Sequence, residues 1–285
     1  MRVFFDVPFE SRGIRRIAFQ LAKYLPDSIE IATDPRSADI SVIHVIGRRD
    51  HVLEQSKDYL NLGHKYAVIQ YVLNSCRNPK PSDWAELWNN AKVVWSYYDL
   101  KKHIPNMYHA PLAADPLMFF PEQQEKKYLI GVNSNSVKSY DTECIGELRL
   151  ATFRANKTML YIGDPFGTDP NVEIKTNNSD NEMRLLYSQC HWFSALRRKD
   201  GFEMVAVEAL LCGVRPIMFD TLNYRQWFDG LAEFISEDTP QNTARQLQQI
   251  LSGNPKPVTN TEIEETKRRF NWQKIIEGFW KQCMS

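Results

Sequence analysis

Residues 191–219 read HWFSALRRKDGFEMVAVEALLCGVRPIMF, and this stretch decides the fold. An apolar strand ending in Phe193-Ser194-Ala195 gives way to a basic, polar turn, Arg197-Arg198-Lys199-Asp200-Gly201. The pattern then predicts a helix over 203–212, stopped by Gly213, and a second strand entered through Arg215-Pro216-Ile217. Strand, crossover helix and strand in close succession form one βαβ unit of a parallel sheet.

The same alternation runs outward in both directions. Toward the N-terminus it predicts strands at 3–7, 29–32, 40–46, 66–73 and 93–97, with helices at 15–24, 51–61 and 83–90 and a loop through Ser11-Arg12-Gly13. After the three prolines and the polar run of 110–127 the pattern restarts. Strands at 128–132, 158–162, 172–175, 191–195, 215–219 and 232–236 alternate with helices at about 141–155, 180–189, 203–212, 222–229 and 240–252, and a helical region covers 261–282. The expectation is an α/β chain of two Rossmann-like domains facing a cleft, the N-terminal one small. The boundaries fall at 1–121, 122–268 and a terminal segment 269–285.

Composition agrees with a globular chain. The 285 residues are 43% hydrophobic and 25% charged, which excludes disorder, collagen and coiled coil. Thirty-five Lys and Arg balance 35 Asp and Glu, so no whole-molecule field holds polyanions or anionic membrane. Basic clusters remain at 12–16, 48–49, 101–102 and 197–199. The five cysteines never form a CxxC pair, which argues against a disulfide framework or a zinc knuckle. With no signal-peptide pattern and no run of about 20 apolar residues, the expected location is cytoplasmic, a host's cytoplasm for a viral chain. The six histidines show no metal-ligand spacing, and no metal is expected. No GxGxxG follows the first strand, which disfavours a nicotinamide enzyme.

Chemistry concentrates where the helix over 203–212 begins. Backbone N–H groups at a helix start and the positive end of its dipole suit a diphosphate, with Arg197, Arg198 or Lys199 adding charge. Asp200 and Glu208 are eight apart, a little over two helical turns, which would set both along one face of an elongated ligand. His44 and His109 lie at predicted strand C-terminal ends, where open α/β sheets bind ligands, and are candidate acceptor contacts.

The block Asp200-Gly201-Phe202-Glu203…Glu208-Ala209…Gly213…Pro216-Ile217 resembles the donor-site block of retaining GT-B glycosyltransferases of the family-4 type, the glycosyl transferases group 1. Its usual form is an acid, Gly-Phe-Gly, Glu-Ala eight positions after the acid, then Gly and Pro-Ile or Pro-Val. Here Asp200 stands where Glu is usual and Glu203 where the second Gly is usual. The linker 110–121, with Asp115 and Phe119-Phe120 before Pro121, is similar to the family's interdomain linker. Leu186-Tyr187-Ser188-Gln189-Cys190 before a strand, Phe270-Asn271-Trp272 opening the last helix, and the Gly13 loop resemble further family elements. After strand 128–132 the family's Gly-Arg becomes Gly131-Val132-Asn133, while Lys138 keeps the family's lysine.

The resemblance implies a nucleotide-sugar co-substrate, a UDP-sugar with a GDP-sugar as the second choice, and no cofactor. It implies metal-independent hexosyl transfer to an acceptor hydroxyl with retention. The N-terminal domain would be the acceptor side, the second domain the donor side, and the terminal helix would pack back across the cleft. Glu208 would bind the ribose hydroxyls, Asp200 the donor sugar, and Lys138 the departing diphosphate. Gly13, Asn133, Arg197, Arg198, Gly201, Phe202, Glu203, Met204 and Val205 would line the donor. The acceptor stays open: a glycan, a lipid-linked or small molecule, or a hydroxymethylated DNA base as in viral DNA glycosyltransferases. The departures at Asn133, Asp200 and Glu203 leave room for a catalytically inactive nucleotide-sugar-binding or scaffold protein of the same fold.

Overall fold

The structure, a computed structural model, describes residues 1–7, 12–47, 49–73, 81–134, 140–176, 178–198 and 201–285. Within them the chain runs β1 (Arg2–Asp6), α1 (Arg12–Lys23), β2 (Glu30–Ile31), β3 (Ile40–Val45), α2 (Arg49–Asn61), β4 (Lys65–Gln70), α3 (Ala85–Asn90), β5 (Val94–Ser96) and β6 (Met107–His109). It continues through β7 (Tyr128–Asn133), α4 (Ile145–Arg154), β8 (Met159–Ile162), β9 (Val172–Lys175), α5 (Asp180–Ser188), β10 (Cys190–Ser194), α6 (Met204–Leu211) and β11 (Arg215–Phe219). The remaining elements are α7 (Leu222–Phe228), β12 (Glu233–Ile235), α8 (Pro240–Leu251), α9 (Asn260–Arg269) and α10 (Trp272–Met284).

The chain divides into two units, one of Met1–Leu112 with Trp272–Ser285, the other of Ala113–Asn271. The division falls at 112/113 and 271/272, whereas the sequence reading puts the bounds at 121/122, from the prolines and polar run, and at 268/269, where the terminal segment begins. The proline-rich stretch from Ala113 to Pro121 thus belongs to the second unit, and the final helix to the first. Phe270 ends α9 with φ −109° and ψ 65°, so the helical region expected over 261–282 is two helices.

The first unit holds a parallel sheet in the order β2-β1-β3-β4-β5-β6. All six residues of β3 and five of the six in β4 are buried, as strands covered on both faces require. Aromatic rings fix α10 to this unit. Trp280 meets Phe5 edge-on at 6.0 Å, and Trp95 packs against Phe279 at 5.5 Å and Trp272 at 6.5 Å. The Tyr108 hydroxyl donates to the Ile275 carbonyl at 2.6 Å.

The second unit holds a parallel sheet in the order β12-β11-β10-β7-β8-β9. The chain builds outward from β7 through β8 to β9, then returns to the other side of β7 to lay down β10. This doubly wound order puts a topological switch point between β7 and β10, where ligands bind outside the strand C-termini. Helix α4 packs on α8, while α6 packs on α5 and α9. Ser179 with Glu182 and Thr259 with Glu262 form capping boxes that start α5 and α9. Beneath the switch point Gly131 is obligatory, because a Cβ there would lie 2.7 Å from Cys190 Sγ and 2.8 Å from the Phe193 ring.

Candidate functional site

The second unit's switch point gathers most of the residues singled out from the sequence. Asn133 ends β7 and is half-buried. Arg197 and Arg198 leave β10, and Gly201, Phe202 and Glu203 lead into α6, whose first turn carries Met204 and Val205. Lys138 and Asp200 lie outside the described residues. Because α6 starts at Met204, only the second half of the interval from Asp200 to Glu208 is helical, and the one-face argument from helical spacing does not apply.

The side chains at this end are committed in specific ways. Phe202 is buried against Phe228 at 5.5 Å and Phe270 at 5.9 Å, so its ring is core. Asn223 Nδ2 donates to the Gly201 carbonyl at 2.8 Å, tying the turn to α7. Glu208, 3% exposed, accepts a hydrogen bond from the Tyr187 hydroxyl at 2.6 Å. Tyr187 therefore fixes the carboxylate that the sequence comparison singled out, and it comes from α5, one crossover earlier.

Both arginines are engaged by acids. Arg197 Nη2 lies 2.9 Å from Glu143 Oε1, and its Nε lies 2.9 Å from Glu203 Oε1. Glu143 precedes α4 and Glu203 precedes α6, so one guanidinium joins the connections that follow β7 and β10. Arg198 Nη2 pairs with Glu147 Oε1 at 2.6 Å, and its backbone N–H donates to the Thr142 carbonyl at 2.7 Å. Burial pushes the Glu203 carboxyl above the usual range; the Glu143 carboxylate adds to this, while Arg197 and a hydrogen bond with Tyr224 oppose it. The sequence missed Glu143 and Tyr224. Neither belongs to a periodic pattern, and only the fold brings them to Glu203.

In the first unit the switch point lies between β1 and β3. Asp6, at the end of β1, accepts from Gln55 Nε2 and the Tyr59 hydroxyl of α2. His44 is buried in β3, with Nδ1 2.9 Å from the Tyr71 hydroxyl, and no described residue hydrogen-bonds its Nε2. Burial lowers its pKa to about 3, so the ring is neutral at ordinary pH. His109 is the last residue of β6, half-buried. Gly13 is exposed in the first turn of α1 rather than in a preceding loop, because that helix begins at Arg12. Among the described residues no group of three or more His, Cys, Asp or Glu could hold a metal ion, and no helix is long and apolar enough to cross a membrane.

Two doubly wound, all-parallel α/β units define the class: the fold is that of the GT-B glycosyltransferases. Among solved structures the chain is similar to Alr3699/HepE from Anabaena, crystallised with UDP and glucose, at a TM-score of 0.78 and 10% identity, covering 100% of this chain and 99% of that one. It is also similar to the sucrose-phosphate synthase of Thermosynechococcus elongatus, at a TM-score of 0.71 and 10% identity, covering 99% and 98% of the two chains. In sequence it is 25% identical over 114 residues to the GDP-mannose:cellobiosyl-diphosphopolyprenol alpha-mannosyltransferase of Xanthomonas oryzae pv. oryzae. That match spans 39% of this chain and 30% of the mannosyltransferase. No family model matches the chain.

Proposed function

We propose that this protein is a glycosyltransferase that moves a hexosyl group from a nucleotide-sugar donor to an acceptor hydroxyl, with retention at the anomeric carbon. The observation that carries the reading is the position of the Gly201–Glu208 block on the connection leaving β10, beside the switch point of the second sheet. The UDP bound in the Anabaena neighbour, and the GDP-mannose in the name of the Xanthomonas relative, support a nucleotide-sugar donor and make UDP-sugars and GDP-sugars the first to test.

The assigned roles follow the chemistry of the leaving group. As the glycosidic bond to phosphate lengthens, negative charge builds on the diphosphate and the anomeric carbon becomes cationic, so groups that strengthen with that charge accelerate transfer. Lys138 and the backbone N–H groups at the start of α6 meet the diphosphate. Glu208, oriented by Tyr187, holds the ribose hydroxyls, and Asp200 holds the sugar hydroxyls. The first unit supplies the acceptor side, with His44 and His109 as its candidate contacts. The assigned transfer uses no metal, so a chelator should leave turnover unchanged. Release of UDP or GDP from a panel of nucleotide-sugars, with and without acceptor alcohols, tests the reading directly. Binding without any release above the uncatalysed rate would replace it with a donor-binding scaffold, a reading favoured by the engagement of both Arg197 and Arg198 with carboxylates.

A further inference from the structure

Glu203 stands where the sequence resemblance expects glycine, and its side chain is not idle. Arg197 is one quarter exposed, whereas the two carboxylates that flank it, Glu143 and Glu203, are 2% and 8% exposed. The two acids come from different connections, and each takes a different nitrogen, Nη2 and Nε. The guanidinium is thus held between buried anions, straddling the two chain segments that leave β7 and β10. Glu203, though it is the residue that precedes α6, makes no side-chain hydrogen bond to that helix's N–H groups. Tyr224 of α7 acts with Arg197 to favour the charged form of the Glu203 carboxyl.

We propose that Glu203 is a positioning residue for the donor diphosphate: with Glu143 it fixes the Arg197 guanidinium at the switch point, and Arg197 so held contacts the diphosphate. This rests on the nucleotide-sugar reading above. The physical reason is geometric. A guanidinium prefers to fork both donors onto one carboxylate. Without Glu203 nothing holds Nε away from that preference, and the guanidinium would turn both donors onto Glu143. The cation would then leave the straddling position. Simple charge counting predicts the reverse, since two carboxylates over-neutralise one arginine, and deleting one of them should attract an anion.

Calorimetric titration with UDP, GDP and inorganic pyrophosphate separates these outcomes in the wild-type protein, Glu203→Gln, Arg197→Gln and the double variant. Glu203→Gln is expected to weaken UDP or GDP and pyrophosphate by about tenfold. Arg197→Gln is expected to do so at least as much, and the double variant no more than Arg197→Gln alone, the signature of two residues acting through one contact. Glu203→Asp, which keeps the charge, should recover part of the loss and guards against a fold defect in the glutamine variant. Affinity within about twofold of wild type in Glu203→Gln, tighter binding, or additive losses in the double variant would each overturn the proposal. Wild-type protein that binds pyrophosphate but neither nucleotide would overturn the donor reading while leaving the clasp to be judged on pyrophosphate. Wild-type protein that binds none of the three overturns both.

Discussion

Past β10, the side chains of the second unit are paired charges: Arg197 with Glu143 and Glu203, Arg198 with Glu147. Among the described residues at the corresponding end of the first unit, several neutral groups pair with one another, beside the Arg49–Asp50 ion pair at the start of α2. His44 meets the Tyr71 hydroxyl, Trp88 Nε1 donates to Gln70 Oε1 at 2.9 Å, and the Tyr97 hydroxyl donates to the Tyr71 carbonyl. Asp6, at the end of β1, is satisfied by an amide and a phenol. Among the described residues, the two parallel sheets therefore differ in the groups that pair beyond their strand C-termini. Paired buried charges are costly to break singly. Neutral donors and acceptors with aromatic rings suit hydroxyl groups, in keeping with the acceptor side proposed for the first unit.

The largest test of this contrast is Arg198→Met, which leaves Glu147 buried without its partner. A loss of about 3 kcal/mol in unfolding free energy is expected by urea denaturation, and adding Glu147→Leu should restore much of it, since removing both charges ends the penalty. Failure of the second change to rescue would mean that this end is not organised by ion pairing.

The neutral end predicts a different dependence, on pH. Burial holds the His44 pKa near 3 in the folded chain, against an ordinary 6.5. As pH falls through 6.5 the unfolded chain takes up the proton first, so stability is present above that pH and is lost progressively down to about 3. Between pH 7 and pH 5 this amounts to about 2 kcal/mol. His44→Phe should flatten that part of the stability curve relative to wild type, and parallel curves would show that the ring is not kept neutral. Tyr71→Phe is a smaller perturbation. It removes the hydroxyl from His44 Nδ1 and should cost about 1–2 kcal/mol of stability, leaving UDP affinity unchanged. A change in nucleotide affinity would blur the division between the two ends.

Much of the fold was legible because its elements carry strong periodic or boundary signals. Strands Val172–Lys175 and Arg215–Phe219 match their expected bounds, and Ser179, Thr221, Thr239 and Thr259 each start a helix as cap residues should. The three-residue strand Met107–His109 showed in the sequence only through the placing of His109 at a strand end, and the break at Phe270-Asn271, which lacks the Gly or Pro that usually marks one, showed only through the resemblance, in which Phe270-Asn271-Trp272 opens the last helix. The candidate site was legible where a local motif spells it out, in Gly201, Phe202 and Glu208, which the fold brings to the connection leaving β10. It was not legible where the chemistry depends on residues far apart in sequence. Glu143 reaches Arg197 across more than fifty positions, and Tyr187 was readable as part of a helix end but not as the partner of Glu208. The meaning of Glu203 was hidden for the same reason, since a departure from glycine reads as a defect until its ion pair is seen.

The central claim is that the connection leaving β10 binds a nucleoside diphosphate through Glu208, and the most direct measurement is calorimetric titration of UDP into the wild-type protein and Glu208→Ala, with GDP in parallel. One of the two nucleotides should bind the wild type, and Glu208→Ala should weaken it by about tenfold to a hundredfold, the loss of a buried hydrogen bond to a charged group. Equal affinity in the two proteins would contradict the assignment of Glu208.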